Sequence, residues 1–190
     1  MVTPSMTVPT ERDIVAFMER LSTSSGAIFD RGRRYRYVLW RNFSERAHQN
    51  YLSIIMLNPS NADEHFDDPT IASCGRLARN NGYDGFMVSN LYAYCTPYPA
   101  ELMACRDPVG ALWGRQNDHY LQLTQSSARA TLLAWGNHAV FKPGRVSQVL
   151  AMVDKSRALH IGMTGKMQPR HPLYVAADAR LLKAPAILWA

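Results

Sequence analysis

No apolar run in this chain approaches the roughly 20 residues that a membrane-spanning helix needs, so no membrane partner is expected. Cysteine is scarce: Cys74, Cys95 and Cys105 form an odd set without metal-type spacing. That argues against a disulfide framework or a zinc site, and for reduced thiols in a cytoplasmic protein. The 6 histidines show no paired ligand spacing either, so no metal is expected. A Walker loop and a Gly-x-Gly-x-x-Gly fingerprint are both missing, which argues against nucleoside-triphosphate and dinucleotide chemistry and leaves no cofactor to expect. Residues 1–10 carry Pro4 and Pro9 but no basic start ahead of an apolar core, so no secretion signal is expected.

What is present is ordinary for a globular protein. Hydrophobic residues make up 47% and charged residues 19% of 190, enough for one domain over 1–190 with a full core and a loose tail at 1–10. The net charge of +6 suits contact with phosphate and adds a small weight toward nucleic acid. A monomer is the expected state.

The chain gathers around the stretch 54–60, Ile-Ile-Met-Leu-Asn-Pro-Ser. Four apolar residues in a row fit a strand buried on both faces, and the polar break puts Asn58 and Ser60 at its carboxyl end. Apolar runs predict further strands near 86–90, 131–135 and 158–163, ending in Ser89-Asn90, Gly136-Asn137-His138 and a loop with His171-Pro172-Leu173. Residues 35–40 read as a strand of a kind that suits a sheet edge. Between these lie helices: 11–21; Asp68-Pro69 to about 80; Asp107-Pro108 to about 125; 145–153; and a last one from about 175. Asp before Pro is a strong helix start, so Asp68 and Asp107 are read as caps rather than catalysts. Residues 22–26 read as a small-residue break. Alternation of strand and helix implies a three-layer α/β/α fold with a central, mostly parallel sheet. In such a sheet the carboxyl ends of parallel strands lie along one edge, so the four polar clusters can converge on one cleft.

The order and wording of these clusters resemble the uracil-DNA glycosylase superfamily. Met56-Leu57-Asn58-Pro59-Ser60 is similar to its water-positioning loop, and Phe86-Met87-Val88-Ser89-Asn90 to the strand whose Asn reads a flipped base. Leu133-Ala134-Trp135-Gly136-Asn137-His138-Ala139 is similar to its third motif, and His171-Pro172-Leu173 to a shortened form of its last. The chain departs from the founding branch at Ser60, where that branch carries a Tyr, and after Pro172, where a Ser-Pro is missing. Over 35–180 the chain also resembles a bacterial and phage family of unknown function.

The resemblance implies an enzyme that hydrolyses the N-glycosidic bond of a flipped, 5-substituted pyrimidine in single- or double-stranded DNA. Asn58 would hold the water, and a neutral His171 would donate to a pyrimidine carbonyl oxygen as charge develops there. Asn90 would read the Watson–Crick edge, which needs both a donor and an acceptor. Ser60, Phe66 and Tyr92 would contact the base. Leu173 would fill the gap left by the flipped nucleotide, with Arg170, Lys166 and Arg76 on the DNA. Each residue has a plainer alternative. Asn90 reads also as a turn residue, and His171 as a connector held extended by the following Pro. Arg76 and Arg79 read as a solvated helix face, His138 as a cap or solvent-facing group, and Trp113 and Trp135 as core. A nucleoside- or nucleotide-processing enzyme of the same fold, or a non-catalytic nucleic-acid-binding module, are the rival functions.

Overall fold

The computed structural model describes residues 9–44, 50–111, 116–176 and 178–189, the side chain of Tyr174 excepted. Most of the expected loose tail and Trp113 lie outside that set. Helix α1 (Glu11–Arg20) opens with a capping box in which Thr10 and Asp13 satisfy each other's backbone N–H groups. Strands β1 (Ser25–Phe29), β2 (Arg36–Asn42), β3 (Tyr51–Met56) and β4 (Gly85–Asn90) follow, with helix α2 (Pro69–Asn80) between the last two. Helices α3 (Pro99–Ala104) and α4 (Gln116–Ser126), strand β5 (Ala130–Leu133), helix α5 (Arg145–Leu150) and strands β6 (Ala158–His160) and β7 (Leu182–Lys183) complete the order.

All seven strands form one sheet in the order β1-β2-β4-β3-β5-β6-β7. The pairs β3/β4, β3/β5 and β5/β6 are parallel, and the two outer sides are antiparallel. β3 is the middle strand and every one of its residues is buried, as an apolar run with both faces covered requires. Leu52, Ile54 and Met56 pack with Ile71, Cys74 and Leu77 of α2. The intervening Ile55 joins Leu121 of α4 and Val149 of α5 on the other face. Phe17 and Leu21 at α1 close a third cluster with Tyr37, Val38 and Leu123. The result is a mixed α/β fold whose four parallel strands end on one edge.

Several expectations are corrected. The strand at 35–40 is not at an edge, because β1 pairs with its outer side. β1 falls where a small-residue break was expected. Its Gly26 sits opposite Trp40, and a Cβ there would come within 2.1 Å of the indole, so the glycine is a seat for the ring rather than a strand breaker. Asp107 caps a turn rather than a helix at Pro108, accepting from the N–H groups of Gly110 and Ala111, and α4 is described from Gln116. No helix begins at 175. Instead Leu182 and Lys183 pair with His160 and Leu159 as β7, tertiary pairing overriding an alanine-rich local preference. β6 stops at His160, and beyond it Met163 makes only an isolated bridge to Pro169.

Candidate functional site

A cavity of about 670 Å³ opens on the edge where the parallel strands end. That is within the ordinary range for small-molecule sites. Each of the four parallel strands feeds it through the loop that follows. Asn58 and Ser60 come after β3, Thr96 and Pro97 after β4, Trp135 to His138 after β5, and Thr164, Arg170 and His171 after β6. The first turn of α2 contributes Asp68 and Thr70, and Arg36 enters from the start of the antiparallel β2.

Asn58 is half-buried and tied to the backbone. Its Nδ2 donates to the carbonyls of Pro59 (2.9 Å) and Thr96 (2.8 Å), with a longer contact to Tyr94 (3.4 Å). The amide nitrogen is thereby fixed, and the oxygen, which makes no hydrogen bond among the described residues, is the end able to accept one. The same contacts strap the loop after β3 to the loop after β4, and the Thr96 N–H donates back to Pro59.

His171 caps the 3₁₀ turn Pro172–Tyr174, its Nδ1 accepting from the Leu173 N–H at 3.3 Å. A neutral imidazole that accepts at Nδ1 carries its proton on Nε2, so the ring is a donor at that atom. Burial pushes its pKa below 6.5, and the Asp68 charge opposes that only in part. The ring is therefore neutral at neutral pH. Gly136 sets its position from below. With φ 71° and ψ −169° it occupies backbone space open essentially to glycine alone. Its N–H donates to Pro169, and a Cβ on it would lie 3.6 Å from that of His171.

Other cavity residues were given no chemical role by the sequence, or were not singled out by it. Trp135 is both core and wall, its indole N–H donating to Gln168 at 2.9 Å. His138 is exposed at the cavity, in line with a solvent-facing reading. Arg36 is 2% exposed. The one hydrogen bond of its guanidinium among the described residues runs from Nη1 to the Ala62 carbonyl at 2.5 Å, and its Nε has no partner. The signal for it was available: a lone arginine inside the strand Tyr35-Arg36-Tyr37-Val38-Leu39-Trp40.

The remaining candidates divide. Ser60, Arg170 and Leu173 line the cavity with Asn58 and His171. Asn90 does not. It is 1% exposed, with an unpartnered Nδ2, and its carbonyl accepts from Asn117. Tyr92 is fully buried beside Phe141, and its hydroxyl donates to Ala139. Phe66 projects into solvent at 58% exposure. Its N–H, with that of His65, is held by Asp63. Arg76 is exposed and donates to Ser73, while Arg79 lies over the Phe43 ring at 3.6 Å. Lys166 is exposed on the turn whose Thr164 and Gly165 reach the cavity. Burial raises the thiol pKa of Cys74, and that of Cys95 to about 11, so both stay protonated and are poor nucleophiles. Among the described residues no group of His, Cys, Asp and Glu could hold a metal ion, and no helix is long and apolar enough to cross a membrane.

Residues 36–173 match a family described as "Protein of unknown function (DUF1643)", and the chain belongs to that family. No curated protein and no solved structure matches it. The matched span begins at Arg36 and includes every cavity-lining residue.

Proposed function

We propose that this member of the DUF1643 family hydrolyses the N-glycosidic bond of a pyrimidine nucleotide in DNA, on a uracil-DNA glycosylase-like fold. The observation that carries the reading is that Asn58 and His171, far apart in sequence, line one cavity at the carboxyl edge of a parallel sheet. The residue types suit the chemistry. In the reaction the C1′–N1 bond breaks, the electron pair leaves with the base, a water oxygen bonds to C1′, and the proton that water loses ends on the released base. The Asn58 oxygen accepts a hydrogen bond from that water and orients it; an amide is too weak a base to take the proton early, so the sugar carries much of the charge. The Nε2–H of neutral His171 donates to the base carbonyl oxygen as negative charge gathers there. A neutral donor serves this purpose without a fixed ion pair in the empty site. Leu173, part-exposed beside His171, is the side chain suited to take the place of a flipped nucleotide.

The test is single-turnover incubation of excess protein with oligonucleotides carrying modified pyrimidines, followed by alkaline cleavage at abasic sites. Strand scission at the modified position is expected. Intact strands at every protein excess would leave a binding module. Salt separates DNA from a free nucleoside as substrate: kcat/KM on DNA should fall steeply with salt through counterion release, and on a nucleoside only slightly.

A further inference from the structure

The two fully buried arginines among the described residues are treated differently. Arg145 is 2% exposed and pairs with Asp118 at 2.7 Å, its Nε donating to the Leu91 carbonyl at 2.7 Å. Arg36 is equally buried but forms no ion pair among the described residues. Of the five N–H donors on a guanidinium, one bond goes to the Ala62 carbonyl, and Nε is buried without any partner. A guanidinium with only structural work to do would have its charge met, as that of Arg145 is by Asp118, because a buried, uncompensated charge is destabilising.

Arg36 also lines the cavity, and next to it on the wall is the amino-terminal turn of α2, a helix of 12 residues whose positive dipole end favours anions and whose Thr70 lines the same cavity. The nearby acid is already engaged: Asp68 caps α2 by accepting from the Ile71 N–H at 2.9 Å and makes no ion pair with Arg36. Asp68 acts on Arg36 through space, and no acid is in direct contact with the guanidinium among the described residues.

We propose that Arg36, with the first turn of α2, forms an oxyanion subsite of the cavity, so that the ligand is a pyrimidine carrying a phosphate or carboxylate group that seats on the guanidinium. The planar fork of an arginine suits two oxygens of one such group. Because Arg36 is recessed, the backbone phosphates of a continuous duplex do not reach it; the oxyanion sits at a 5′ end or on the base itself. The pyrimidine rests on the reading above, whereas the oxyanion subsite needs only the cavity and not base release, so each can fail alone.

Binding is measured by isothermal titration at fixed ionic strength with two matched pairs: deoxyuridine 5′-monophosphate against deoxyuridine, and 5-carboxydeoxyuridine against 5-hydroxymethyldeoxyuridine. At least one acid should bind tenfold or more tightly than its neutral partner, and the pair that shows it identifies the source of the oxyanion. Arg36→Met should erase that preference. If that variant does not fold, Arg36→Lys, which keeps the charge and loses the fork, should reduce it at least threefold. Equal binding within both pairs by the native protein overturns the proposal. So does a preference that survives unchanged in Arg36→Met or, where that variant does not fold, in Arg36→Lys.

Discussion

His171 and Asn58 each do something visible in the resting fold, and that sets how they should be tested. Asn58 straps two loops through the carbonyls of Pro59 and Thr96, so Asn58→Ala loses bonds worth about 1–3 kcal/mol as well as a water acceptor. If the residue acts in the reaction, turnover on DNA falls by about 100-fold or more while the DNA Kd stays within about threefold. Equal loss of both would mark it as a strap alone. His171 adds a pH signature. Its pKa is lowered by burial from 6.5, so protonation favours the unfolded chain. Folding stability is then flat with respect to this group above about 6.5 and declines as pH drops below that value toward the folded pKa. The donor role uses the neutral ring, so kcat/KM should fall on the same acid side, and this limb should vanish in His171→Gln with low residual turnover. Ser60 lines the cavity where the founding branch of the resembling superfamily carries a Tyr. On the proposed reading the smaller side chain leaves room at carbon 5 of a pyrimidine, so Ser60→Tyr should shift release from 5-substituted bases toward uracil. Unchanged selectivity would show that Ser60 does not face that position.

Elements were legible where a side chain acts locally. The Asp68-Pro69 start and the Asn81-Gly82 stop bound α2 because capping and a fixed φ are properties of a few neighbouring residues. The four parallel strands stood out as apolar runs for the same reason. β1 and β7 did not, because Gly26 is chosen by a Trp40 ring across the sheet and Leu182 by pairing with His160. Within the site, Asn58, Ser60, Arg170, His171 and Leu173 were legible as polar or motif breaks after strands. Asn90 also follows a strand, but it is sealed under neighbouring backbone. Arg36 was hidden because the cavity end of an antiparallel strand is its beginning, not its end. Two glycines carry the element-scale predictions. Gly136→Ala forces a Cβ into a glycine-only conformation and should lower unfolding free energy by about 1–3 kcal/mol. Gly26→Ala drives a Cβ into Trp40 and should cost about 1–3 kcal/mol through overpacking. Urea unfolding reads both, and a change below about 0.5 kcal/mol would remove the argument for that position.

At the scale of the whole molecule, four loops from four parallel strands meet on one edge and enclose one cavity. A scaffold of this kind brings together groups from distant parts of the chain. The excess of 21 basic over 15 acidic residues favours a polyanion, and Arg170 and Lys166 stand exposed around the loop that carries His171. The measurement that bears most directly on this account is mass spectrometry of free bases released from a panel of modified DNAs by the native protein, Asn58→Ala and His171→Ala. The account predicts release of a 5-substituted pyrimidine in preference to uracil, lost in both variants. No free base from any DNA at any protein excess, or release that persists in both variants, would contradict it.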